Sequence, residues 1–166
     1  MDILQLPGAT INLSNAGLTS GTASGATYTT TATTAHVING LFGTTLAAQT
    51  NTASPTTDAR TGAAFIALGD NEATCFVWGV NAAGAIQVCQ GSIEDTQVGV
   101  TTTAGAFITL PQFPPLPDDF CPIGYSVHRC APSASAWTLG TSAWNATGTT
   151  HTFKNVCVMP TRPQST

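Results

Sequence analysis

The side chains in this chain best suited to chemistry are three histidines, His36, His128 and His151, and five cysteines, Cys75, Cys89, Cys121, Cys130 and Cys157. Together they carry enough nitrogen and sulfur donors for a zinc site. Zinc ligands recur at short paired spacings, because two donors must reach one ion from a single loop or turn. No cysteine here sits in a C-x-x-C pair, and His36 lies in a Thr/Ala-rich stretch. The spacing therefore points to no metal site and no cofactor. Five is also an odd number, so the cysteines do not form a complete disulfide framework, and reduced thiols in a cytoplasm are the simplest reading. A nucleophilic Ser or Cys needs a base and an orienting carboxylate, and neither a G-x-S-x-G elbow nor a Cys/His signature is found. Asp118-Asp119 and Glu94-Asp95 are adjacent pairs. Neighbours on an extended chain point to opposite faces, so both pairs read as solvated turns rather than as calcium ligands or a glycosidase dyad. No catalytic residues are assigned, and the expectation is a protein that is not an enzyme.

The elements that would position any such groups are strands. Thr74 to Val80 alternates, with Phe76, Trp78 and Val80 on one face and Cys75 and Val77 on the other, and Ala85 to Gln90 continues the pattern through Ile86 and Val88. Between them Asn81-Ala82-Ala83-Gly84 suits a type I turn closed by a left-handed glycine, which sets Val80 opposite Ile86, Trp78 opposite Val88 and Val77 opposite Cys89. Cys75 is then only diagonal to Cys89, too far for a disulfide. Asn39-Gly40 marks a second turn. Further strand candidates are 9–13, 26–31, 35–38, 63–68, 97–101, 106–110, 123–130, 151–153 and 155–159, while Ser54 to Asp58 around Pro55 reads as a flexible loop. In the run from Ile123, His128 falls opposite Ile123, Tyr125 and Val127, which suggests a solvent or interface face. No stretch has a helical apolar period of useful length. Eight to ten short strands predict an all-β fold, an antiparallel β-sandwich or jelly-roll-like single domain. Residues 1–25 would form an extended N-terminal arm or edge strand, and 26–166 the sandwich.

Charge is scarce. Only 7% of the chain is charged, with four cations against eight anions and a net charge of −4. Neutralising phosphates requires clustered Lys and Arg, so nucleic acid is excluded as a partner. No apolar run reaches the roughly 18 residues of a membrane span, and Met1 to Pro7 lacks the basic and apolar regions of a secretory signal. The chain is thus expected to stay in the compartment where it is made. The sequons at Asn12 and Asn145 would matter only in a eukaryotic secretory pathway. Thr, Ala, Ser and Gly dominate residues 19–58, and threonine favours strands, so Ala26 to Thr31 and Ala35 to Ile38 within it read as strands or extended arms that order against a partner.

Leu110 to Pro117 holds four prolines, which cannot sit in a central strand because each lacks a ladder donor. It reads as a stiff connector with Phe113 and Leu116 as apolar pegs. Gln112 to Pro117 with Asp118, followed by Cys121-Pro122-Ile123-Gly124-Tyr125, Trp137-Thr138-Leu139-Gly140-Thr141-Ser142, Ala146-Thr147-Gly148, Phe153-Lys154-Asn155-Val156 and Met159 to Pro163, resembles a family of small structural proteins of tailed bacteriophages and prophages. Pro55 to Asp58, Thr61 to Phe65, Phe76 to Gly79 and Val88 with Gln90, Gly91 and Ser92 resemble the same group. The resemblance runs from near residue 28 to the end. It implies a virion protein of the capsid decoration or cement type, made in the bacterial host cytoplasm and carried on the capsid exterior. The major capsid protein would be its partner, and the protein itself would be a homo-oligomer, dimer or trimer. No membrane partner is expected. Ile3, Leu4, Leu6, Ile11 and Leu13 are read as an apolar arm for capsid or a sister subunit, with Phe113 and Leu116 as further interface candidates. The alternative is a fibre or carbohydrate-binding module, in which Trp78, Trp137, Trp144 and Tyr125 would stack on sugars.

Overall fold

The computed structural model describes residues 8–164. Among them there is no helix, and ten strands form three antiparallel sheets. The strands are β1 (Ile11–Asn12), β2 (Leu18–Ser20), β3 (Thr27–Thr30), β4 (His36–Ile38), β5 (Leu41–Phe42), β6 (Gln49–Ala53), β7 (Glu72–Val80), β8 (Ile86–Asp95), β9 (Cys121–Cys130) and β10 (Thr149–Asn155). The central sheet has the order β10-β9-β7-β8, and two smaller sheets, β2-β3-β6 and β1-β4-β5, pack around it. The architecture is an all-β sandwich.

The β7–β8 hairpin follows the local sequence closely. Val80 pairs with Ile86, Trp78 with Val88 and Val77 with Cys89. Gly84 closes the turn at φ 82°, and the Asn81 side chain accepts a hydrogen bond from Ala85 N at 2.9 Å. A left-handed φ is costly for any residue with a Cβ, which is why glycine stands there. Asn39 and Gly40 both have positive φ and join β4 to β5 through a two-residue loop, as an Asn-Gly type I′ turn requires.

Both faces of the central sheet are covered. The inner face, with Phe76, Trp78, Val80 and Val88, packs against Leu18 and Tyr28 of the β2-β3-β6 sheet and against Trp137, Leu139 and Trp144. The outer face, with Cys75, Val77, Cys89, Tyr125 and Val127, is roofed by irregular chain carrying Phe107, Phe113, Leu116 and Phe120, and by Val156 and Met159. The proline-rich connector is the main part of this roof. Gln112 is held to β8 through Ser92, and the Cys75 thiol donates to Gln112 O at 3.1 Å. Cover on both sides explains why β7 is buried along nearly its whole length.

Sheet edges are closed by side chains. Asp58 accepts from Gln90 N of β8 at 3.1 Å, and the Gln90 amide bonds both N and O of Ile66. Asn155 at the end of β10 accepts from Leu18 N and donates to Leu18 O, stitching β2 to the central sheet. Such cover removes the unpaired edges through which β-proteins aggregate.

Several sequence readings are corrected by these pairings. Segments 63–68, 97–101 and 106–110 make only isolated bridges, and 155–159 forms no strand beyond Asn155. Alternation shows an extended backbone, but a ladder also needs a partner of matching length. The Ser54 to Asp58 loop is tied down, with Ser54 N bonded to Ala26 O and Asp58 buried. Glu94 and Asp95 end strand β8 instead of forming a turn. The Thr-rich stretch orders against the chain's own strands, supplying β3, β4 and β6.

Gly91 lies directly beneath the connector. A Cβ there would stand 2.2 Å from Gln112 O and 2.6 Å from the Cys75 sulfur. Gly91→Ala is expected to lift the connector and cost about 1–3 kcal/mol, read as a lowered denaturation midpoint. An unchanged midpoint would mean that the connector is not seated on the sheet.

Candidate functional site

The histidines divide into two places. His36 is fully buried beside the β7–β8 turn, and its Nε2 donates to Asn81 O at 3.0 Å. His128 on β9 and His151 on β10 are directly opposed across the ladder. His128 does lie opposite Tyr125 and Val127, but the face it occupies is the inner core and not a solvent or interface surface: the residue is completely buried. The alternation is also broken, because Ile123 is an extra residue where β9 shifts register against β7, so it joins His128 on the inner side.

His128 sits in an aromatic box. Its ring stacks on Trp137 at 4.5 Å and 21°, meets Phe76 edge-on at 5.2 Å, and lies 6.0 Å from the His151 ring at 25°. Trp144 and Phe153 complete the surround. Ser126 Oγ lies 2.9 Å from His128 Nε2 and accepts from the Trp78 indole N–H at 3.0 Å. Nε2 of His128 is thus hydrogen-bonded to Ser126, which leaves Nδ1 as the other polar atom of the ring. That nitrogen has no partner, and neither has Nδ1 of His151. Burial holds His128 well below the ordinary imidazole range, with His151 pushing the same way, and burial also lowers His151. Both rings are therefore neutral at pH 7. Nothing in the sequence spacing marks this cluster, because its members come from β7, β9, β10 and the loop between the last two.

No group of three or more His, Cys, Asp or Glu side chains converges as metal ligands among the described residues. Cys75, Cys89, Cys121 and Cys130 are buried free thiols, and Cys157 is exposed. Desolvation pushes Cys75 and Cys89 up to about 12 and Cys121 and Cys130 up to about 11. A thiol reacts as its thiolate, so these four are inert at neutral pH. Asp119 is a structural cap, accepting from Ala82 N at 2.8 Å, while Asp118 is exposed and its backbone carbonyl accepts from the Asn39 amide. Arg60 stands 4.0 Å from Asp58, whose carboxylate is occupied by the backbone of Arg60 and Gln90.

Ile3, Leu4 and Leu6 lie outside the described residues. Ile11 is half-buried in edge strand β1 opposite Val37, and Leu13 beyond it is 46% exposed. Phe113 and Leu116 face inward, Phe113 meeting the Tyr125 ring at 5.1 Å. Trp78, Trp137, Trp144 and Tyr125 are all buried, so none offers a face to a sugar. Asn12 is buried as well, which closes that sequon.

Leu13 apart, sequence reasoning missed the large apolar side chains that are exposed. Leu41 and Phe42, 75% and 63% exposed, follow the Asn39-Gly40 turn and border a hollow with Ala82, Asp118 and Asp119 at the Val80 end of β7. Val158 lies on an adjoining hollow that shares Asn39 and Asp118. Val98 and Val100, 81% and 76% exposed, project from the loop after Thr96, which is bonded to Asn71 at the other end of β7. The nine residues of β7 separate the two ends by about 26 Å. The Asn39-Gly40 turn was the available signal for the first group. Thr-rich flanks disguise the second.

Comparison with family models, with curated proteins and with solved structures gives no match.

Thiol titration of the native protein is expected to give one fast-reacting equivalent, from Cys157, and five after denaturation. Two or more fast equivalents in the native state would contradict the burial of the other four.

Proposed function

We propose that this chain is a structural virion protein that decorates a tailed-phage capsid and stabilises it by binding the outer surface of the major capsid protein lattice. The observation that carries the reading is the disposition of apolar side chains: a sealed core, with exposed ones that include Leu41, Phe42 and Val158 at one end of the central sheet and Val98 and Val100 at the other, besides Leu13, Ile66 and Ile108. Fully burying a large apolar side chain contributes about 1.5–3 kcal/mol. A protein with two such places on a stiff body bridges neighbouring units, and repetition over a symmetric lattice converts weak single contacts into lasting attachment. The low charge supports the same reading, since attachment through apolar and hydroxyl-bearing surface is little affected by salt. Burial of the four large aromatic side chains considered for sugar stacking weighs against the carbohydrate-binding alternative.

Quantitative mass spectrometry of purified particles is expected to find the chain in hundreds of copies, and its occupancy should hold between low and high salt. Leu41→Ser with Phe42→Ser should lower occupancy at least tenfold while leaving the fold intact, because both side chains are already in solvent in the free protein. A handful of copies per particle would instead indicate a fibre component, and absence from particles would overturn the reading.

A further inference from the structure

The His128–His151 pair, the first ring buried and the second half-buried, carries two unsatisfied nitrogens in the most aromatic part of the core. An apolar residue of similar volume would avoid that cost. The groups that face it are few. From β7 come Thr74, Phe76 and Trp78; from β9 itself, Ser126 and Cys130; from β10, His151 and Phe153; and from the intervening loop, Trp137 and Trp144. His151 is the group whose charge acts on His128, while Asp70 and Glu72 act on Cys130 instead. No carboxylate from these elements is placed to compensate an imidazolium. His151 is only half-buried, so protons reach the pair through it.

We propose that His128 and His151 form an acid-operated latch, in which protonation of the pair drives β10 and the Trp137–Trp144 loop away from the core and opens this corner of the sandwich. A first charge on His151 lies one ring away from His128 across the ladder. A second, on His128, places two like charges about 6.0 Å apart among aromatic rings, where the low dielectric magnifies their repulsion. Protonation makes both ring nitrogens of His128 donors, with Ser126 Oγ the partner at Nε2 and no acceptor at Nδ1, so the charge is left poorly solvated in the folded core.

The direction with pH follows from linkage. Both histidines are depressed in the folded state, whereas an opened chain takes up protons from about pH 6.5 downward. The opened state therefore binds more protons at acid pH, and stability present in full above pH 6.5 is lost as the pH falls below it. Each histidine that is neutral when folded and protonated when open raises the opening constant about tenfold per pH unit in that window. Carboxylates, with ordinary values near 4, contribute little between pH 7 and 5. This inference stands whether or not the protein is carried on a capsid.

The test is urea unfolding followed by tryptophan fluorescence between pH 7.5 and 5.0, for the wild type and for His151→Gln, with imidazole Cε1–H resonances of the wild type recorded over the same range. The wild-type unfolding constant is expected to rise ten- to a hundredfold between pH 6 and 5, and His151→Gln to show a clearly shallower dependence. The His128 resonance should stay at its neutral position until the folded signals are lost. The resonance measurement needs no variant and so decides the matter even if His151→Gln fails to fold. A wild-type constant that does not change between pH 7 and 5, an equal slope in the variant, or a His128 resonance that titrates near pH 6.5 in the folded protein would each overturn the proposal.

Discussion

The rest of the structure depends on the double burial of β7. Its side chains on one face enter the aromatic core around Trp78, and those on the other meet the roof formed by Phe113, Leu116 and Phe120. A strand in that position gives up nearly all contact with water, so its backbone needs partners on both sides. β8 and β9 flank it over most of its length, with one register shift against each. Where the roof comes closest, side chains are absent, because a Cβ on Gly79 would lie 2.3 Å from the Phe120 ring and one on Gly91 would meet Gln112. The glycines, the prolines and the hydroxyl-rich strands are thus parts of one arrangement, in which irregular chain seals a sheet that a second regular sheet does not cover.

Scarcity of charge fits this plan. Buried polar groups are mostly hydrogen-bonded, and several of the few charges present serve the fold through such bonds, Asp58 on the β8 edge, Asp119 on the hairpin turn and Arg129 on Gly105 O and over the Phe107 ring. Unpartnered buried polar atoms occur at Thr34, His36, Ser54, Gln87, Thr96 and Thr149 too, and the histidine pair differs from these in its setting. Its unpaired nitrogens lie where the core is otherwise best packed, and that contrast is what singles it out as a device and not a packing residue.

How much of this was legible in the sequence depended on the range of the interactions. The β7–β8 hairpin was readable near its turn, from Val77 to Cys89, because Asn81 to Gly84 fixes the register there within a few bonds along the chain, whereas the shift between Thr74 and Phe76 and the continuation of β8 to Asp95 were not. Asn39-Gly40 was readable for the same reason. His128 was misplaced because its face is decided by Trp137, Trp144 and His151, which arrive from elsewhere in the sequence, and because a sheet covered on both sides loses the polar and apolar alternation that distinguishes inside from outside. Strands β2 and β6 escaped notice since Leu18 to Ser20 and Gln49 to Ala53 carry little apolar pattern, and their pairing rests on β3 and on the Asn155 side chain. The exposed apolar side chains were hidden by their dispersal over short loops, whereas Phe113 and Leu116 drew attention as a compact motif and belong to the interior roof.

The measurement that bears most directly on the sealed central sheet is native-state hydrogen exchange resolved by residue. Amides of β7 and β9 should exchange only through global unfolding, with one shared free energy equal to that from denaturant melts, while those of the loop carrying Val98 and Val100 exchange far sooner. Exchange of the β7 amides at a lower free energy than those of β6 would contradict the account.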